Sequence, residues 1–219
     1  EQNPDGPKHH MDSTAIRLDT VIGGYDVAVF ANDSMNNERR FGDYDATSFN
    51  DIEVTAIENQ SEEKGAGLEI SSNNDGPFNW IVGMNYFEQT VNYDFDLRIG
   101  AIGGGQTPAS TGWGTYNLDT HGLFASFDYE MSEQLTLNIG GRYTKEEKDV
   151  YWRASQYPGY ASNARLTLAA GALPNRAAEE WTSFDPKITL TYNLKNSGII
   201  YATFSSGFKS GGVNAPCRK

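Results

Sequence analysis

A single cysteine, Cys217, leaves no partner for an intramolecular disulfide, and it is read as an incidental thiol. No run of eighteen apolar residues occurs either, which excludes a helical membrane span but not a β-barrel, whose strands hide their hydrophobicity in alternation. Basic residues are scarce and nowhere clustered. Their 17 Lys and Arg against 29 Asp and Glu give a net charge of -12, so no nucleic-acid partner is expected, because a phosphate backbone needs clustered cations. The residues from Glu1 onward contain no charged leader with an apolar core, so any export signal is expected to have been cleaved or to lie outside these residues.

Chemistry-bearing motifs are lacking as well. No Ser, His and Asp set is legible and the many carboxylates have no partner base, so no enzyme is expected. His9 and His10 adjoin Met11 without a third ligand at metal-binding spacing and read as a solvated tail. Asp43, Asp45 and Asp51, and separately Asp94 and Asp96, lack the glycine and terminal Glu of a calcium loop and read as solvated acidic loops. The stretch GAIGGGQTP, residues 100–108, lacks the Lys-Ser/Thr ending of a phosphate loop and reads as a flexible connection. No metal and no cofactor are expected.

What is present is alternation. With 219 residues, 38% of them hydrophobic, the chain suffices for one β domain of ordinary size. In KITLTYNLKNSGIIYATFSSGFKSGG, residues 187–212, Ile188, Leu190, Tyr192 and Leu194 alternate with Lys187, Thr189, Thr191 and Asn193. After the turn formers Asn196, Ser197 and Gly198, residues Ile200, Ala202, Phe204 and Phe208 alternate with Tyr201, Thr203, Ser205 and Lys209. Three more hairpins follow the same rule, giving segments at about 14–38, 65–90, 118–153 and 181–212. The first turns at Gly23-Gly24, the second at NNDGP, residues 73–77. Alternation alone leaves open whether the apolar face meets a second sheet, as in a soluble β-sandwich binding module, or lipid.

Three features favour lipid. Several runs last about ten residues or more, whereas soluble strands average about five or six and bilayer-crossing strands need about nine to eleven. Connections within hairpins are short, while those between them, at about 39–63, 91–117 and 154–180, are long and polar, as in outer-membrane barrels. The third of these contains ARLTLAAGAL, residues 164–173, read as a short helix or coil. Tyr25, Trp80, Tyr129 and Tyr192 each sit near a short turn on the apolar face, as membrane-interface aromatics would. Arg17, Asp19, Glu69, Asp128, Arg142, Lys187 and Lys209 fall on the opposite, lumen-facing side.

Eight strands would suffice for a small closed barrel with a structural or adhesive role. A complete single-chain barrel is expected to have both termini on its short-turn side, yet four short turns against three long connections place both ends on the long-loop side. An arc of a larger wall is the simpler expectation.

WTSFDPKITLTYNLKNSGIIYATFSSGFKSGGVN resembles the barrel region of TonB-dependent outer-membrane receptors, which carry a W…F.PK.TL.Y pattern ahead of YA..S.GFKSGG.N. FASFDYEMSEQLTLNIGGRYTKEEKD is similar to that family's hairpin ending in G.RYT.E.K, and GLEISSNNDGPFNWIVGMNYF to its L.LSS…W..G.YYF hairpin. The resemblance implies an all-β, antiparallel transmembrane β-barrel portion, about eight strands of a 22-stranded wall, located in the bacterial outer membrane. It implies energy-coupled uptake of a ligand such as a ferric siderophore, with outer-membrane lipid and, through a plug domain, the TonB complex as partners. Neither a plug nor a TonB box is recognisable in these residues. Loop candidates for substrate contact are the aromatic and basic residues Arg39, Arg40, Tyr44, Trp113, Tyr116, Trp152, Arg153, Tyr157 and Tyr160, since aromatics give contact area and Arg pairs with carboxylate or catecholate oxygens.

Overall fold

Eight strands, each hydrogen-bonded to the next in chain order, make one antiparallel sheet, as the alternating runs require. The computed structural model describes residues 7–43, 52–101, 105–156, 175–194 and 198–213. The strands are β1 (Lys8–Ile22), β2 (Tyr25–Asp43), β3 (Ile52–Ser72), β4 (Phe78–Ala101), β5 (Gly105–Ser132), β6 (Leu135–Gln156), β7 (Asn175–Leu194) and β8 (Gly198–Ser205). Among the described residues β1 and β8 each have a single neighbouring strand. Gly23 and Gly24 close the first hairpin with φ of 61° and 84°. Positive φ at both central residues is the two-residue turn whose twist matches that of the flanking strands.

Among the described residues the strands form this one sheet, without the second sheet of a soluble sandwich, and the segment after β8 lies against its polar face. The apolar face accordingly has no protein core beneath it: Ile16, Leu18, Leu123, Ile139, Phe184 and Ile188 are all exposed. Among the described residues only Ala28, Val150 and Thr144 are buried outside the glycines. Cross-strand partners keep this face continuous, through Val29↔Leu68, Leu68↔Met84, Met84↔Leu123, Leu123↔Tyr143 and Tyr143↔Phe184. The register also slants. One row runs Thr20, Val27, Ile70, Val82, Ala125, Gly141, Pro186, starting two residues from the end of β1 and finishing eight residues from the end of β7. A stagger of about one residue per strand is the shear that tilts strands around a barrel axis.

The strands reach much further than the apolar alternation does. β2 through β7 span 19 to 28 residues, so most of what reads as long polar connections is strand. GAIGGGQTP is strand on both sides of residues 102–104, and His9 and His10 belong to β1 rather than to a solvated tail, His10 bonding Asp12 at 2.8 Å. The physical reason is that hydrogen bonding between neighbours sustains an antiparallel ladder without an apolar face, so hydrophobic patterning marks only the part of a strand that meets an apolar phase. β8, by contrast, stops at Ser205, which places Phe208 and Lys209 beyond the strand that their alternation suggests.

Candidate functional site

The apolar face ends at a sharp boundary. Asp33, Lys64, Glu88, Asp119, Glu147 and Glu180 occupy one register row on that face, across six consecutive strands. Beyond this row, towards the connections between hairpins, both faces are polar but contain grouped aromatic rings.

On the polar face the rings of Tyr93 on β4 and Trp152 on β6 stack at 5.0 Å and 18°. Gly114 of β5 lies between them in the same row, Tyr93↔Gly114↔Trp152. A Cβ at Gly114 would stand 2.7 Å from the Trp152 ring, 2.8 Å from Tyr93 and 2.6 Å from the Tyr151 carbonyl, so the two rings meet across β5 only because this residue is glycine. Tyr116 is on the same face, two residues along β5, where burial pushes its phenol upward, the Lys148 charge lowers it and Glu146 raises it. Burial likewise raises Tyr93. Both phenols stay neutral donors at physiological pH.

Beside the rings lies the least exposed ion pair among those described, Lys148 to Glu146 at 2.9 Å, with side chains 14% and 16% exposed. Lys148 donates to Ser210 Oγ at 2.6 Å and to the Gly211 carbonyl at 2.9 Å, and its ammonium lies 5.4 Å from the Trp181 ring centre. Ser210 in turn donates to Glu146. Ser206 N bonds the Pro186 carbonyl at 3.1 Å, so the segment after β8 is held against β6 and β7 although it is not strand. Lys148→Ala should release it, and amides of residues 206–211 should exchange at least about tenfold faster, since hydrogen bonds from a charged donor contribute about 1.5–3 kcal/mol. Lys209→Ala, at an exposed side chain, should leave exchange unchanged.

The sequence-derived candidates divide between faces. Tyr116 and Trp152 join the polar-face group. Trp113 and Arg153 are register partners on the face that carries the apolar belt, and Trp113 contacts Tyr151 with ring centres 5.0 Å apart. Arg39 pairs with Glu58 at 3.1 Å, and Arg40 with Glu38 at 2.6 Å on the other side of β2. The hydrogen bond from Arg40 holds Glu38 below the usual carboxylate range. All six are on strands, not loops. Tyr44, Tyr157 and Tyr160 lie outside the described residues, as do Asp45, Asp51, residues 164–173 and Cys217. Tyr93, Lys148, Glu146 and Trp181 escaped the sequence reading. Counting in twos from Tyr116 and Trp152 along β5 and β6 would have exposed part of this group, had those segments been read as strand.

Arg17, Asp19, Glu69, Asp128, Arg142 and Lys187 share the polar face. Arg17 reaches Asp19 at 2.9 Å and Glu69 at 3.7 Å, Asn138 bonds Asp128 at 2.8 Å, and Arg142 bonds Thr144 at 3.1 Å. Lys209 falls outside the strands. Tyr25, Trp80, Tyr129 and Tyr192 lie on the apolar face, Tyr25 and Trp80 with ring centres 5.6 Å apart. Among the described residues no three His, Cys, Asp or Glu side chains converge as a metal site.

A single slanted antiparallel sheet, exposed and apolar on one face below a charged row and polar on the other, defines a segment of β-barrel wall. The chain belongs to the TonB dependent receptor-like β-barrel family, whose model matches residues 5–216. This is a family of receptors rather than enzymes, and its members are outer-membrane proteins. No curated protein matches the chain. Three solved structures share the fold: the ferric yersiniabactin uptake receptor FyuA from Yersinia pestis (TM-score 0.73, 8% identity, 90% of this chain and 28% of that one), the siderophore receptor PiuA from Acinetobacter baumannii (0.66, 11%, 91% and 32%), and the ferric-catecholate import receptor Fiu from E. coli K12 (0.60, 12%, 91% and 35%). The chain thus spans about a third of the length of these receptors.

Proposed function

We propose that this chain forms part of the wall of an outer-membrane receptor that takes up a small ligand such as a ferric siderophore, with energy supplied through TonB. The observation that carries the reading is the division of the sheet: an apolar belt without protein cover on one face and, on the other, a polar surface rising to the Tyr93, Tyr116, Trp152 and Lys148 group. In this reading the belt meets outer-membrane lipid and the polar face lines the lumen, where Arg17, Asp19, Glu69, Asp128, Arg142 and Lys187 are hydrated and paired. Tyr25, Trp80, Tyr129 and Tyr192 anchor the belt at the interface. The aromatic rings offer flat contact area and Lys148 a cation to an anionic ligand, with Arg40 further along the same face.

Among the described residues β1 and β8 are not strand partners of each other, which favours an arc of a larger wall over a self-contained eight-stranded barrel, in which they would pair. The test is uptake of radiolabelled ferric siderophores by cells carrying or lacking the intact gene, with and without TonB. Accumulation of one siderophore that requires both is expected. Uptake of every iron complex unaffected by loss of the gene would refute the siderophore assignment.

A further inference from the structure

β8 leaves the sheet where β7 has a proline. Ser206 N donates to the Pro186 carbonyl at 3.1 Å, which is half of the pair that would carry the ladder past Lys187↔Ser205. The other half, a bond from residue 186 back to the residue 206 carbonyl, cannot form because proline has no N–H. Among the described residues β7 beyond Pro186 is paired with β6 alone, and the chain after Ser205 crosses the polar face instead of extending the ladder. Ser206 Oγ donates to Asp185 at 3.3 Å, and Gly211 lies against the Trp181 indole, where a Cβ would stand 3.0 Å from the ring. Ser206, Gly207, Lys209 and Gly211 are nevertheless exposed, so the segment rests on the wall without being covered.

Its firmest attachment is Lys148, and that ammonium is fully used. A lysine has three N–H donors. Three acceptors surround them here: Glu146 at 2.9 Å, Ser210 Oγ at 2.6 Å and the Gly211 carbonyl at 2.9 Å. Ser210 closes the ring by donating to Glu146. An incoming anion therefore reaches Lys148 only by displacing one of the three. Glu146 carries a full charge whereas Ser210 and Gly211 are neutral acceptors, so the contacts to the segment are the weaker ones and yield first. The displacing group has a short way to come. Tyr116 pairs with Val150, two residues along β6 from Lys148 on the same face, and Trp152 follows two residues further.

We propose that residues 206–211 are a strap worked by the ligand: an anionic group of the bound molecule takes Lys148 from Ser210 and Gly211, and the strap leaves the wall. The inference rests on the receptor reading and adds the regulation of its site. Once the ammonium has turned to the ligand, the end of the strap keeps only the bond from Ser210 to Glu146 out of this ring. Its departure uncovers Trp181 and the β6–β7 surface on the short-turn side of the aromatic group. Occupancy at the rings thus clears the next stretch of lumen wall. A neutral ligand offers the ammonium nothing better than Ser210 and leaves the strap in place.

The test is hydrogen–deuterium exchange of the intact receptor in detergent, with citrate as an anionic probe, its neutral triethyl ester as control, and sodium chloride holding the ionic strength constant. Amides of residues 207–211 should exchange at least about fivefold faster at saturating citrate, the lower end of the usual coupling between two sites, and should not respond to the ester. Tryptophan emission follows citrate binding itself. Because coupling is reciprocal, Ser210→Ala, which loosens the strap beforehand, should bind citrate more tightly by the factor that citrate accelerates exchange in the wild type. Ser210→Ala removes one hydroxyl from an exposed segment and leaves the Lys148–Glu146 pair intact, so it serves even where a change at Lys148 prevents folding. Exchange at 207–211 that citrate leaves unchanged, or that citrate and the ester raise equally, would overturn the proposal, as would equal citrate affinity in Ser210→Ala and the wild type. Siderophore uptake in cells is measured separately, so a strap that stays shut leaves the receptor reading to its own test.

Discussion

Ile139→Arg is expected to destabilise the bilayer-embedded receptor by about 2–4 kcal/mol, the cost of a cationic side chain on the lipid face near the midplane of a barrel. Asn138→Arg, one residue away, should cost much less. The two positions alternate across β6. Ile139 pairs with Phe127 and Ile188 on the apolar face, whereas Asn138 bonds Ser126 and Asp128 on the polar one, where a new cation would find a carboxylate. Denaturant unfolding in lipid vesicles measures both. Equal losses, or a near-neutral Ile139→Arg, would mean that the apolar face is not in contact with lipid.

Gly114→Val should separate the Tyr93 and Trp152 rings and cost about 1–3 kcal/mol, the usual penalty for forcing extra carbon into a packed site. The tightest of its contacts is with the Tyr151 carbonyl, part of the strand backbone, so rotation of side chains alone cannot relieve the overlap. Ring separation should change the near-ultraviolet circular dichroism, because stacked aromatics couple and separated ones do not. If Gly114 also shapes a ligand surface, affinity for the transported ligand should fall in the same variant. Thr115→Val, next in the chain but on the other face, should leave the aromatic signal as it is. An unaltered signal in Gly114→Val would show that the two rings do not depend on the missing Cβ.

Local patterning was enough to reveal the hairpins. Ile188, Leu190, Tyr192 and Leu194 on β7 alternate cleanly because one side of each strand meets an apolar phase, and Gly23-Gly24 announces a turn whose positive φ values only small residues accept readily. Strand ends were not legible for the same reason. Beyond Asp33, Lys64, Glu88, Asp119 and Glu147 the alternation ceases, and polar strand looks like polar loop. Trp113, Tyr116, Trp152 and Arg153 were therefore recognisable as candidates by residue type but were misplaced on loops. Lys209 was assigned to a strand that its alternation continued but the pairing did not, since β8 leaves the ladder after Ser205 and the chain turns to Ser210 and Lys148 instead.

The sequence by itself determined the class: antiparallel hairpins with one apolar face, a net acidic chain, and motifs resembling a receptor wall, because alternation and turn chemistry are properties of neighbouring residues. Which rings and charges meet was decided only by the tertiary structure. Tyr93, Gly114 and Trp152 are brought into one row by register across three strands, and Tyr151 and Trp152, adjacent in the chain, are sent to opposite faces by the pleat. Register sums pairing over the whole ladder, so it cannot be read from any one segment.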